Sequence, residues 1–239
     1  MKTFASTLAT AIMALLFGFL GAAIWSYAGL ADDRTRNYLL SNPDLLPQMA
    51  EAYQEQEASE RLTEVRDEVM TVFPGAVLGN PNGTKTLVEF TDYNCPYCEA
   101  SLADIERLIS EDPQLKVVIR EFPIFEGSEI ASRMALAAAM QGKYDAFHRA
   151  MFERGPSTPE SVTAAAQAAG LDMTRAEADA ASDMVSVELA RNMSVAQRLG
   201  FNGTPAWIVG DRAISGAISS RPGRPPLRAL PSRLHTRWR

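Results

Sequence analysis

The only two cysteines of this 239-residue chain lie close together, in the segment Cys95-Pro96-Tyr97-Cys98. An apolar run precedes them and apolar residues at helical spacing follow them, so the pattern predicts a strand, the cysteine pair and a helix in that order. The unpaired backbone N–H groups and the dipole at a helix start stabilise negative charge. We therefore expect Cys95 to be a thiolate-prone nucleophile and Cys98, one turn inside the helix, to be shielded.

Two other uses of a cysteine pair compete with redox chemistry. A structural disulfide that closes so short a loop removes little chain entropy and stabilises poorly. A closed tetrahedral metal site needs further ligands, and the chain offers only His148 and His235 as imidazoles. We therefore predict no bound metal and no cofactor other than the redox-active Cys95–Cys98 disulfide. A non-catalytic protein that handles copper with a partner's ligands, or a holdase, stays as an alternative.

A second motif lies further along the chain, where Thr204-Pro205 precedes the apolar run 206–209. An X-Pro bond directly before a β-rich segment is one that can be cis and can end a turn or a strand. Alone this signal is weak, because most such prolines are ordinary trans turn residues. Its combination with the cysteine pair is much more specific.

Together the two motifs resemble the thioredoxin superfamily, and specifically the DsbA-like thiol-disulfide oxidoreductases of bacterial envelopes. The resemblance rests on residues 88–98 and 203–205, and it covers about Gly79 to Ala217. It implies an α/β, thioredoxin-like fold with a helical insertion between the cysteine-bearing helix and the proline strand. It also implies an enzyme that exchanges disulfides with exported proteins through Cys95 and Cys98.

The resemblance assigns further catalytic and substrate-binding residues. Glu89 matches the buried acid of the family, and a carboxyl group in a dry interior has a raised pKa and can take the proton of Cys98. The alternative for Glu89 is that it faces outward. Four residues are expected to bind substrate, with the main chain of the threonine pairing with a substrate strand: Pro96, Tyr97, Thr204 and Pro205.

The helical insertion is also indicated by the local pattern. Residues from about 127 to 199 contain several helical stretches with stop signals and no convincing strand. Ser157 and Glu160 have the spacing of a capping box around Pro159. His148 falls inside the insertion, where we expect it to be a packed residue and not a ligand or base.

The N-terminal residues 1–31 are predicted to be a transmembrane anchor or a signal peptide, because no charge follows Lys2 until Asp32. We favour an uncleaved anchor, since the apolar run exceeds a normal signal core. A cleavable signal ending near Ala28 is the alternative. Either segment predicts a periplasmic protein, tethered to the inner membrane in the first case, with a membrane redox partner.

Residues 32–78 are predicted to form a helical stalk. Near-heptad spacing of Leu62, Val65, Val69 and Val72 suggests self-association, and the segment resembles the oligomerising stalk of ScsC-type members of the family. A homo-oligomer kept reduced would be a disulfide isomerase or reductase, whereas a reoxidised monomer would donate disulfides. The alternative is a solvated spacer helix.

Residues 218–239 form a basic tail with six arginines, four prolines and no acidic residue. Prolines at this density prevent a helix, so we predict disorder. A basic tail can bind nucleic acid or anionic lipid. We expect no nucleic-acid partner, because the abrupt change of composition favours a shifted reading frame or a degenerate end.

Overall fold

The computed structural model describes residues 2–27 and 30–217, so the prediction for the tail, residues 218–239, lies outside the described residues. The chain divides into two compact units, one up to Gln54 and one from Glu55 onward. The first unit contains α1 (Lys2–Tyr27), α2 (Leu30–Ser41) and the first part of α3 (Leu45–Met70).

The N-terminal helices bear on the predicted membrane anchor. Crossing a bilayer takes about 20 consecutive apolar residues. No helix in the part of the chain that the structure describes is long and apolar enough to cross a membrane. The transmembrane anchor predicted within residues 1–31 is therefore not supported.

The second unit is built on a sheet of short strands. They are β1 (Val77–Gly79), β2 (Lys85–Thr91), β3 (Leu115–Glu121), β4 (Ala206–Val209) and β5 (Arg212–Ser215). Within residues 30–217 these five strands form one sheet in the order β1-β3-β2-β4-β5. The central pair β2 and β3 is parallel and the other pairs are antiparallel. Helix α4 (Pro96–Glu111) connects the two parallel strands, as the thioredoxin-like fold requires.

Helices fill the chain between β3 and β4. They are α5 (Glu129–Met140), α6 (Tyr144–Glu153), α7 (Pro159–Ala168), α8 (Met173–Ala180) and α9 (Asp183–Arg198). The capping box of α7 differs from the prediction. Thr158 is the N-cap, and its partner is Ser161, whose hydroxyl accepts from the N–H of Thr158 at 2.9 Å. Because Pro159 takes the first helical position, the motif lies one residue later than Ser157 and Glu160 suggested.

The two faces of the sheet carry separate apolar clusters, because successive side chains of a strand point to opposite sides. Leu87 and Ile119 lie in the cluster that contains both cysteines and much of α5 and α6. Val88 and Phe90 lie in the other cluster, which contains residues of α3 and α9. Both cysteines therefore pack on the face of the sheet that carries Leu87 and Ile119.

The second half of α3 corrects the stalk prediction. Leu62, Val65 and Val69 are at most 2% exposed and belong to the cluster on the α3 and α9 face of the sheet. An apolar stripe at helical spacing is buried equally well by a partner helix or by the sheet of the same chain. Here the sheet buries it, so the prediction that these residues form a self-association seam is wrong.

A buried cation fastens α3 to the sheet. Arg120 is 1% exposed and forms an ion pair with Glu188 at 3.0 Å, and it also donates to the side chain of Asn192. Its other terminal nitrogen donates to three main-chain carbonyls at and just after the end of α3, those of Glu68, Val69 and Thr71. These carbonyls have no partner within the helix, so Arg120 satisfies them while α9 neutralises its charge.

Candidate active site

The start of α4 positions the two thiols. Cys95 is the N-cap residue, and Pro96 occupies the first turn, where its missing N–H is no loss. The N–H of Cys98 donates to the carbonyl of Cys95 at 3.0 Å. Cys95 and Cys98 lie 3.5 Å apart, and both are free thiols. The structure therefore presents a reduced dithiol that can close to a disulfide.

The environment makes Cys95 the more acidic thiol. The pKa of Cys95 is lowered to about 6, chiefly by a hydrogen bond from the Cys98 thiol. Burial opposes this effect, whereas the hydrogen bond with Thr204 and the backbone N–H groups of Cys98 and Tyr97 add to it. Cys95 is therefore mainly thiolate at neutral pH, which is the form that attacks a disulfide.

The second thiol has the opposite character. Burial raises the pKa of Cys98, and the hydrogen bond to Cys95 and the nearby Glu89 raise it further. Cys98 therefore keeps its proton at neutral pH. Before it can attack as a thiolate, Cys98 has to lose that proton.

Glu89 is the buried carboxyl group whose charge raises the pKa of Cys98. It is 1% exposed, and among the described residues neither of its carboxyl oxygens has a hydrogen-bond partner. Burial raises its pKa well above the ordinary value, and the charges of Glu121 and Cys95 raise it further. The alternative that Glu89 faces outward is excluded.

The predicted substrate-binding residues surround the thiols. The Thr204–Pro205 peptide bond is cis, and the Sγ atom of Cys95 lies 3.2 Å from the carbonyl oxygen of Thr204. The loop before β4 is thus brought onto the start of α4. Pro96 and Tyr97 are exposed, the tyrosine by 63%, so both are accessible to a bound polypeptide.

Sequence reasoning missed a second buried carboxyl group. Glu121 is fully buried at the end of β3, and its Oε1 accepts from the hydroxyls of Tyr144 at 2.6 Å and Tyr93 at 3.2 Å. Burial raises the pKa of Glu121 to about 8, against the effect of these donors. A signal was available in the alternation of residues, because Glu121 follows the apolar Val117 and Ile119 at every second position.

The histidine of the insertion is packed against the same group. His148 is 1% exposed on α6, and its Nδ1 lies 2.9 Å from the hydroxyl of Tyr93. Burial lowers its pKa to about 3, so His148 is neutral over the physiological range. It is a packed residue, as expected, but it has a polar partner that the sequence did not reveal.

A buried aspartate, also missed, holds the loop beside the cysteines. Both oxygens of Asp92 accept hydrogen bonds, from the main chain of Asn94, Ile124 and Phe125 and from the hydroxyl of Ser128. Its carboxylate therefore joins the segment before Cys95 to the segment after β3. In the described residues no group of three or more His, Cys, Asp or Glu side chains is arranged to hold a metal ion.

Comparison with known sequences agrees with this site. The chain belongs to the DSBA-like thioredoxin domain family, whose sequence model matches residues 86–221. Its structural neighbours include a thioredoxin-like oxidoreductase and a thiol-disulfide exchange protein. This similarity favours the catalytic interpretation over copper handling or a holdase.

Three solved structures show the same relationship. A thioredoxin-like oxidoreductase from Silicibacter pomeroyi is 42% identical and has a TM-score of 0.60, covering 63% of this chain and 88% of its own. A periplasmic thioredoxin-like protein from Salmonella enterica is 30% identical, with a TM-score of 0.55 and coverages of 65% and 88%. The catalytic domain of ScsC from Proteus mirabilis is 25% identical, with a TM-score of 0.61 and coverages of 67% and 91%.

The curated relatives are larger proteins. The Na(+)/H(+) antiporter NhaA of Herminiimonas arsenicoxydans is 31% identical over 149 residues, which are 61% of this chain and 24% of the antiporter. The chain spans about a quarter of the length of the curated relatives it matches. Their transport activity is not carried over to this protein.

Proposed function

We propose that this protein exchanges disulfides with exported, cysteine-containing proteins of the bacterial envelope. The observation that carries the proposal is the asymmetric dithiol, in which the pKa of Cys95 is lowered to about 6 while that of Cys98 is raised. The Cys95 sulfur can thus attack a disulfide at neutral pH, whereas the Cys98 sulfur stays protonated until the mixed disulfide has formed.

Reduction of a substrate disulfide proceeds in two displacements. The Cys95 thiolate attacks one substrate sulfur, forms a mixed disulfide and releases the other substrate sulfur as a thiolate. Glu89, as a carboxylate, then takes the proton of Cys98. The Cys98 thiolate attacks the Cys95 sulfur, the Cys95–Cys98 bond forms, and the second substrate sulfur leaves with the electron pair. Oxidation of a substrate dithiol is the reverse sequence.

The surroundings of Cys95 support binding of an extended polypeptide. The main chain at Thr204 lies against the thiol, and Pro205 contributes no N–H to compete with a substrate strand. Exposed Pro96 and Tyr97 add apolar contact area. Pairing with the main chain is tolerant of sequence, which suits an enzyme that acts on many folded and unfolded proteins.

The test is insulin reduction and disulfide transfer by the wild type, Cys95→Ser and Cys98→Ser. We expect Cys95→Ser to abolish both activities, because no nucleophile remains. Cys98→Ser should accumulate mixed disulfides that are visible on non-reducing gels. Faster alkylation of Cys98 than of Cys95 in the reduced wild type near neutral pH would contradict the assignment of roles.

The proposed location is the periplasm. A dithiol that cycles between reduced and oxidised states needs a compartment in which disulfides persist. The similar protein from Salmonella enterica is described as periplasmic. We propose that a redox partner of the envelope membrane returns the dithiol to its working state after each turnover.

A second candidate is an oligomeric isomerase or reductase. Its support is the first part of α3, where Leu46, Met49 and Tyr53 are 74%, 58% and 62% exposed. Apolar side chains exposed on one helix suit association with another copy. Measuring the equilibrium with glutathione separates the two candidates, because an oxidase has a much less negative reduction potential than a reductase.

A further inference from the structure

Two buried carboxyl groups lie on one face of the sheet beneath the cysteines. In the parallel pair of β2 and β3, Thr91 is the partner of Glu121, and Glu89 is the partner of Ile119. Side chains two positions apart on a strand point to the same side, so Glu89 and Glu121 are diagonal neighbours. Both are at most 1% exposed, and within the described residues neither forms an ion pair with a cation.

Arg120, the cationic residue next to Glu121 in the strand, does not neutralise the two carboxyl groups. Arg120 stands beside Glu121 in the strand, but alternation places its side chain on the opposite face, where it pairs with Glu188. The two carboxyl groups therefore share a dry space in which two negative charges repel strongly. One of them has to stay protonated when the other ionises.

Hydrogen bonds decide which of the two carries the charge. Glu121 accepts from the hydroxyls of Tyr144 and Tyr93, whereas no donor in the described chain reaches the oxygens of Glu89. Donors stabilise an anion and leave a neutral acid little changed. Glu121 is therefore the first of the two to ionise as the pH rises, and Glu89 keeps its proton to higher pH.

The donors to Glu121 form a series. A phenol has one proton, so when Tyr93 donates to Glu121 its oxygen has to accept from the Nδ1–H of His148, 2.9 Å away. Two further groups act on Glu121: Ser132 from α5, and Asp92 from the segment just after β2. The serine stabilises the Glu121 carboxylate, whereas the aspartate opposes it.

We propose that Glu121 is a positioning residue for disulfide exchange, whose charge, held by Tyr93 and Tyr144, acts through Glu89 and sets the pH at which Glu89 can take the proton of Cys98. This inference rests on the proposed function. Charged Glu121 keeps the proton on Glu89 and so delays the resolving step until the pH is high enough for Glu89 to ionise as well. Neutralising Glu121 removes that repulsion.

The test follows the resolving step over a range of pH. Reduced protein is mixed with a peptide disulfide, and rapid acid quenching with mass spectrometry separates formation of the Cys95–peptide mixed disulfide from its resolution by Cys98. For Glu121→Gln we expect the midpoint of the resolution profile to fall by about one pH unit or more. Tyr144→Phe should shift it less, in the same direction, because one donor is lost. The exposed Glu153→Gln is the matched charge control and should leave the midpoint unchanged.

A background lacking Glu89 decides whether Glu121 acts through it. In Glu89→Gln protein, adding Glu121→Gln should cause no further shift. An unchanged midpoint in both Glu121→Gln and Tyr144→Phe, or a shift that persists in the Glu89→Gln background, would overturn the inference. Unfolding midpoints identify a variant that fails to fold, and Tyr144→Phe then carries the test. A wild type that forms no mixed disulfide refutes the proposed function instead.

Discussion

The reactivity of Cys95 depends on a neighbour more than on the helix that it caps. The sequence predicted a thiolate stabilised by the helix dipole and the backbone N–H groups. In the structure the largest effect that lowers the pKa of Cys95 is the hydrogen bond from Cys98, with backbone N–H groups contributing less. The two sulfurs of the motif are therefore chemically linked before any substrate binds.

This link predicts different effects for two substitutions of Cys98. Cys98→Ala removes the donor, so we expect the pKa of Cys95 to rise from about 6 by roughly one unit or more. Cys98→Ser keeps a hydroxyl donor and should raise it less. The measurement is the ultraviolet absorbance of the thiolate as a function of pH. An unchanged pKa in Cys98→Ala would show that the helix start suffices to stabilise the thiolate.

Among the elements, α3 has buried apolar side chains in its second half and exposed ones in its first half. Leu62, Val65 and Val69 are buried, whereas Leu46 and Met49 are exposed. The same helix is thus part of the core of the second unit, fixed at its end by Arg120, and part of the first unit at its start. Removing the whole helix would open the core as well as any interface.

The two halves of α3 should respond differently to truncation of a leucine. Leu62→Ala should lower the free energy of unfolding by about 2–5 kcal/mol, because it leaves a cavity in the core. Leu46→Ala, at an exposed position, should change it by about 0.5 kcal/mol or less. Denaturant unfolding measures both, and sedimentation measures mass. If Leu62→Ala lowered the molecular mass in solution without lowering the stability, Leu62 would lie in a self-association interface and not in the core.

At the scale of the whole molecule, the buried Glu121 makes the folded state less stable as pH rises, and the buried His148 makes it less stable as pH falls. Burial raises the pKa of Glu121 from 4.5 to about 8, so its contribution is complete below about 4.5 and is lost as pH rises through about 8. Burial lowers the pKa of His148 from 6.5 to about 3, so its contribution is complete above about 6.5 and is lost as pH falls through about 3.

We therefore expect the thermal unfolding midpoint to decline on both the acid and the alkaline side. Glu121→Gln should flatten the alkaline decline between about pH 4.5 and 8 and leave the acid decline unchanged. The two proteins to compare are Cys95→Ser and Cys95→Ser with Glu121→Gln. Cys95 is removed from both because its lowered pKa makes stability rise with pH near neutrality, which would mask the effect of Glu121. An alkaline decline that is equally steep in the Glu121→Gln protein would contradict the assignment.

Features held by neighbours in the chain were predictable from the sequence alone. The insertion predicted from about residue 127 to 199 is helical, since the glycines, prolines and caps that mark its helices act within one turn. The order of strand, cysteine pair and helix, and the proline before β4, were equally readable, because each is a local pattern of a known fold.

Only the tertiary structure decided which surfaces and charges meet. The stripe on α3 is compatible with a second helix or with a sheet, and the choice depends on residues such as Val88 and Phe90, which are distant in the chain. Glu121, Tyr144 and Tyr93 come from three separate segments, so no local spacing reveals their hydrogen bonds. Burial and long-range contacts set the pKa values at this site, and those arise only when the chain has folded.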